Sequence, residues 1–175
     1  VFWSGWGLIA PVFAIFITDR IQDGSPLVVG VASSTYWILS SLLRVPFGSF
    51  LDGRSGEEDD YLFLVLGLFL AALVPFFLLL ATLSWHVYLT EALRAVAMAM
   101  SLSGFAAIFT RHIDKEKEAT EWGLDATFVG LGMGISGAVG GWAVQRFGFD
   151  FVLIAVGIFE ICGALLLLLL KKEIG

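Results

Sequence analysis

Charge is scarce in this sequence. Asp, Glu, Lys and Arg supply 15% of its 175 residues, 58% are hydrophobic, and the mean hydropathy is +0.91. That deficit excludes an ordinary soluble core, because so short a chain cannot hide this much apolar surface from water, and lipid is its expected solvent. Cysteine is nearly absent: Cys162 stands alone in a leucine-rich segment, which excludes an intrachain disulfide and leaves it as a small core or lipid-facing residue. The ten Lys and Arg are scattered over breaks and run interiors and form no basic stripe, so nucleic acid is excluded as a partner. A net charge of -6 points to no basic partner either, since the acids sit mainly in the breaks between apolar runs and not in one long block. The sequence opens at Val1 without an initiator methionine and is expected to be trimmed from a longer one. Residues 1–16 lack a basic flank and are closed by Asp19 and Arg20, where a secretory signal would have a small-residue cleavage site.

What is present is a succession of long apolar runs. Six emerge, at about 2–18, 27–51, 61–83, 87–110, 126–146 and 151–170, each near the roughly 20 residues a helix needs to span a bilayer. A β-barrel would need alternating apolar and polar positions, whereas 165–170 is continuously apolar, so the expected class is an all-α integral membrane bundle forming one domain over 1–175. The breaks carry turn residues or charge, as in Asp23-Gly24-Ser25-Pro26, in 52–60 and in 111–121. Trp85, Trp122 and Trp142 fall near run ends, where aromatic rings anchor to the interface. Arg54, Arg111, Lys115, Lys117, Lys171 and Lys172 lie on one side, against Arg20 and Arg146 on the other. The positive-inside rule therefore predicts a multi-pass protein of the plasma membrane with both ends of this segment cytoplasmic. Six crossings of this kind also match one half of many secondary transporters, built as two inverted three-helix repeats, although no clear sequence repeat joins the two halves of this chain.

The second break is the most informative. Gly48, Asp52, Gly53, Arg54 and Gly56 end one run with glycine, acid and base at close spacing. The segment resembles the loop signature of the major facilitator superfamily between its second and third helices, Gly-x-x-x-Asp-Arg-x-Gly-Arg-Arg. Gly48 and Asp52 match; Gly53 replaces the first arginine, and Glu57, Glu58, Asp59 and Asp60 stand where further positive charge is expected. The resemblance implies close helix contact at Gly48 and a cytoplasmic conformational gate from Asp52, Arg54 and Arg111, with a solvated turn as the plain alternative. In the fifth run, Gly123, Gly132, Ser136, Gly137, Gly140 and Gly141 look like the glycine-rich motif of the superfamily's antiporters, with Gly137 at the motif's proline. Gly130, Gly134, Gly137 and Gly141, spaced four, three and four apart, form a small-residue helix face suited to close packing. Arg94 stands where the superfamily's fourth-helix motif begins, with Ala97 and Met98 in place of the glutamine and glycine that usually follow. The order of these elements favours the N-terminal half over the related C-terminal half, which is the alternative, with a second six-helix half in the same chain or from a second copy.

Ionisable groups inside the bilayer cost about 2.5–3.5 kcal/mol on insertion scales and normally face the protein interior or water. Arg44, Glu91, Arg94, Asp125 and Glu160 are the candidates. Glu91 and Arg94, three apart, can pair locally, or can change partners as a transporter switches sides. Glu160 has no base within a turn of its own helix, which makes it a candidate proton carrier or the partner of an arginine from another helix. Asp125 is expected to cap the fifth run beside the cytoplasm. Ser33, Trp37, Ser40, Ser41 and Arg44 fall on one side of the second run, a stripe suited to the wall of a water-filled cavity. Arg44 there either binds a polar or anionic solute or snorkels to the interface. Pro11, Pro46 and Pro75 are expected kinks. Arg111-His112-Ile113-Asp114, beside Glu116 and Glu118, is the segment that invites an enzyme, and it lacks metal-ligand spacing and a placed nucleophile. No metal, cofactor or catalytic residue is therefore expected. The leading expectation is half of a secondary active transporter moving a small solute by alternating access, with proton coupling as an option; a non-transporting membrane scaffold or sensor is the alternative.

Overall fold

The computed structural model describes the backbone over 2–54 and 56–174 and the side chains over 3–54 and 56–169. Val1, Ser55 and the side chains of Lys171 and Lys172, all used in the sequence reading, lie outside the described residues. Every described element is helical: α1 (Phe2–Ile9), a 3-10 turn (Ala10–Val12), α2 (Phe13–Arg20), α3 (Pro26–Asp52), α4 (Glu57–Leu79), α5 (Ser84–His112), α6 (Glu118–Phe147) and α7 (Phe149–Ile174). By length and composition five of them, α3 to α7, can cross a membrane.

The first run is not one regular helix. Pro11 sits in the 3-10 turn, where its missing N–H and its ring interrupt the ladder, yet Ile9 and Phe13 keep right-handed helical backbone angles on either side. Pro46 and Pro75 stay within continuous α3 and α4. Two helices begin earlier than their apolar runs. Glu57, Glu58, Asp59 and Asp60 form the first turn of α4, and Glu118 and Glu121 stand in the first turn of α6. Negative charge is favourable against the partial positive charge of a helix N-terminus, so acids that read as a break are helical. Ser25 caps α3 by accepting from the Val28 N–H, with Pro26 as the first helical residue. Gly148, at φ +83, ends α6 in the left-handed region and turns the chain into α7.

α5 packs against α3 and α4, α4 against α7, and α1 against α6 and α7. Phe16, Ile17, Val74, Leu78, Val87 and Val156 belong to one apolar cluster joining α2, α4, α5 and α7. Two relations run through the whole bundle. The ends of α2 and α5 (Arg20, His112), the starts of α3 and α6 (Pro26, Glu118) and the starts of α4 and α7 (Glu57, Phe149) are each 92 residues apart. Exchanging α1, α3 and α4 for α5, α6 and α7 turns the α1–α6 packing into α5–α3 and the α1–α7 packing into α5–α4, and leaves α4–α7 in place.

Of the four glycines expected to pack in α6, Gly137 meets this chain's first helical stretch and the other three do not. A Cβ added at Gly130, Gly134 or Gly141 would meet nothing within 4 Å, whereas Gly132 lies against Ser4, Gly137 against Pro11, and Gly140 against the backbone of Leu8. Positions 132, 136 and 140 share a face that 130 and 134 do not, because two residues advance a helix by more than half a turn. α3 and α6 are also the least covered spans, at 22% and 17% buried against 33–39% for the others.

Candidate substrate pathway

Glu91 and Arg94 form the centre of the bundle. Arg94 Nε lies 3.1 Å from both carboxylate oxygens of Glu91, and Nη2 also donates to Oε2. Both side chains are buried. The guanidinium is sandwiched, with its carbon 3.7 Å from the ring centre of Trp6 on α1 and 3.5 Å from that of Tyr36 on α3. A planar, weakly hydrated cation suits this position, since each face lies on the negative face of an aromatic ring while its edge is held by a carboxylate. Three helices therefore converge on one ion pair whose charge is neutralised within α5.

Beside this pair lies a cavity of about 320 Å³ lined by Trp3, Trp6, Ser33, Tyr36, Trp37 and Arg94. A second of about 470 Å³ shares Trp3 and adds Arg44, Ser101, Trp122 and Asp125. A third of about 500 Å³ shares Arg44 and continues to Gly48, Asp52, Thr110 and Arg111. Neighbours through these shared residues, the three cavities form a row from Arg94 to the C-terminal ends of α3 and α5. At the other end of the bundle, Gln22 N–H donates to the Thr82 carbonyl and Ser84 N–H to Asp23 Oδ1, tying the α2–α3 turn to the start of α5. The Ser84 hydroxyl also donates to Asp23, and these bonds hold the Asp23 carboxyl below its usual range against a smaller opposing effect of desolvation.

Ser33 and Trp37 line the upper cavity, and Arg44 stands where the two lower ones meet, exposed and without an ion pair among the described residues. Ser40 does not share their setting: it is buried and donates to the Trp37 carbonyl at 3.3 Å. Asp125 is not a cap, since α6 begins at Glu118; it lines the middle cavity instead. Glu160 on α7 is 5% exposed and lies against Gly5, where an added Cβ would come within 2.6 Å of its Oε1. Among the described residues it has no hydrogen-bond or ion-pair partner, and the charge of Arg94 reaches it.

At the lower end, Arg54 pairs with Asp59 at 3.0 Å and lies over Phe50, Arg111 pairs with Asp60, and His112 Nε2 is 3.7 Å from Glu57. These bases meet the first turn of α4, not Asp52, which lines the lowest cavity. Gly48 has open space beside it, so within this chain it serves no close helix contact. Sequence reasoning missed Trp6, Tyr36 and Asp60. The acid run 57–60 was visible as a departure from the expected positive charge, while nothing local marked the two rings as partners of Arg94.

The row of cavities, the buried pair and the run of spanning helices fit a membrane carrier. The Major Facilitator Superfamily model matches residues 1–174. The comparisons with curated proteins and with solved structures give no match. With that match covering nearly the whole sequence, the chain belongs to the Major Facilitator Superfamily, a family of multi-pass membrane transporters.

Proposed function

We propose that this chain is one six-helix half of a secondary transporter that moves a small solute by alternating access, with the solute held in the cavity beside Arg94. The observation that carries this reading is the row of neighbouring cavities from Arg94, past Arg44, to Asp52 and Arg111. A solute released from mid-membrane needs a wetted path along such a row, and a scaffold does not. Glu160 is the acid assigned to proton coupling, because it is buried next to the pair without a partner of its own. Arg54 and Arg111, held by the acids of the α4 first turn, are the assigned gate, with Gly48 and Asp52 on the facing end of α3.

Two inverted three-helix repeats are supported by the 92-residue spacing of the helix boundaries and by the packing pattern that survives exchange of the two sets. The α1–α2 stretch then counts as the sixth crossing. The sparsely covered faces of α3 and α6, including Trp37, Val45, Phe128, Gly130, Gly134 and Gly141, are assigned to the second six-helix half. Motif order favours this chain as the N-terminal half, and the excess of Lys and Arg on one side supports an orientation with both ends of this segment in the cytoplasm; the plasma membrane is the assigned membrane.

The test is reconstitution of the full natural chain into proteoliposomes, with solid-supported-membrane currents recorded against a broad solute panel with and without a proton gradient. A solute-dependent current that Glu160→Gln uncouples from the gradient supports the reading. Silence across the panel from folded protein rejects transport in favour of a scaffold or sensor.

A further inference from the structure

We propose that the solute carried beside Arg94 is a small organic cation held by aromatic faces, and that Arg94 is a strut that binds no solute charge. This rests on the transport reading and narrows it.

An arginine at mid-membrane invites an anion, but this one is already engaged. Its Nε and Nη2 donate to Glu91, and its guanidinium carbon lies 3.7 Å from the ring centre of Trp6 and 3.5 Å from that of Tyr36. An anionic solute would have to share the guanidinium with a fully buried carboxylate that already neutralises it and holds its Nε–Nη2 edge. The rest of the cavity wall is mostly aromatic, with Trp3, Trp37 and Phe13 beside Trp6 and Tyr36, and with Ala10, Ser33 and Met133 between them. Ring faces carry negative potential and attract ammonium groups, most strongly where water is excluded.

The charge balance has the same sign. Glu91 and Arg94 cancel within their pair, leaving Glu160 as the buried acid without an ion-pair partner among the described residues, under the longer-range charge of Arg94. Each element packed near Glu160 leaves that balance unchanged. α1 presents Gly5 and has no titratable side chain; α5 supplies Arg94 and Glu91; α4 has none between Tyr61 and its end; α6 has none between Asp125 and Arg146. Glu160 lies behind α1, against Gly5 and outside the cavity lining, and acts on the site through its charge: with Glu160 ionised the buried side chains around the cavity sum to a negative charge, and with it protonated they sum to zero. Cation and proton then compete for one charge, and by linkage each weakens the other. A volume of about 320 Å³ accommodates a single-ring quaternary amine.

The test uses the purified full natural chain in detergent, titrated calorimetrically with benzyltrimethylammonium and with benzenesulfonate, at about pH 8.5 and about pH 5.5. The expected result at the higher pH is binding of the ammonium at least about tenfold tighter than the sulfonate, with a loss of about tenfold or more in Trp37→Ala. Glu160→Gln, or the lower pH alone, weakens the ammonium to a similar degree, and the pH arm needs no variant to fold. Sulfonate binding that disappears in Arg94→Gln overturns the proposal, as does absence of ammonium binding. If reconstituted protein then carries an anionic or neutral solute, the cation assignment fails while transport stands; if no solute moves, both fail.

Discussion

Arg111, next to the end of α5, pairs with Asp60 in the first turn of α4, and its counterpart at the other end of the bundle is Arg20, the last residue of α2, paired at 2.9 Å with Asp150 in the first turn of α7. Each pair ties one three-helix set to the other. They differ in burial. Asp60 is fully buried and its Oδ1 has no partner, whereas Arg20 and Asp150 are about half exposed.

That difference sets unequal consequences for losing each arginine. Arg111→Ala leaves an uncompensated buried carboxylate and is expected to cost roughly 3 kcal/mol, at the low end for a buried pair because Arg111 itself is partly exposed. Arg20→Ala is expected to cost no more than about 1 kcal/mol, since water and salt screen the pair it breaks. Thermal unfolding of the purified full chain reads both, and equal shifts would show that the burial of Asp60 carries no weight.

Close approach of α1 to α6 makes the second prediction. A methyl at Gly140 would overlap the Leu8 carbonyl, a backbone atom that cannot swing aside, so Gly140→Ala is expected to destabilise by about 1–3 kcal/mol. Gly53→Ala adds a methyl at ordinary contact, 3.5 Å from the Ser49 carbonyl, with a right-handed backbone, and should stay within about 0.5 kcal/mol of the parent. At Gly134 an added methyl meets nothing in this chain, so Gly134→Ala should leave its fold intact while lowering transport, because its face is the one assigned to the second half.

The spans, the scarcity of charge inside them and the local Glu91–Arg94 pair were legible in the sequence, because hydropathy and three-residue helical spacing are properties of a single segment. Trp6 and Tyr36 were not, since the tertiary packing of α1 and α3 on α5 decides which of several aromatic rings covers an arginine. Which glycines of α6 pack likewise depended on the direction of α1, to which the spacing of 130, 134, 137 and 141 is indifferent: Gly137 of that set packs, together with Gly132 and Gly140 from outside it. The 92-residue spacing of helix boundaries went unseen because the residue types there differ: Pro26 opens α3 where Glu118 opens α6, and Glu57 opens α4 where Phe149 opens α7.

Outside the membrane, Asp23 makes stability depend on acid. The Ser84 hydroxyl and N–H bond its carboxylate, so its folded pKa lies below the unfolded value of 3.8. A depressed folded pKa gives stability that is present above the unfolded value and lost as the pH falls through the folded one. The thermal midpoint should therefore drop below about pH 4, and Asp23→Asn should lower it at neutral pH while flattening the acid limb. An unchanged acid limb in Asp23→Asn would assign the loss to other carboxylates.

The role of the Glu91–Arg94 pair separates by removing one partner or both. Arg94→Ala alone strands a buried carboxylate and is expected to cost about 3–5 kcal/mol, and Arg94→Lys recovers only part, because an ammonium cannot fill the plane between Trp6 and Tyr36. Replacing both partners, as Glu91→Leu with Arg94→Met, removes both buried charges together and should bring the thermal midpoint back near that of the parent. A strut requires no more than that, so the doubly substituted protein should still bind benzyltrimethylammonium and still transport. If it binds the cation but no longer turns over, the pair changes partners during the cycle: the loss would then lie in switching between the two faces of the membrane, and not in recognition of the solute.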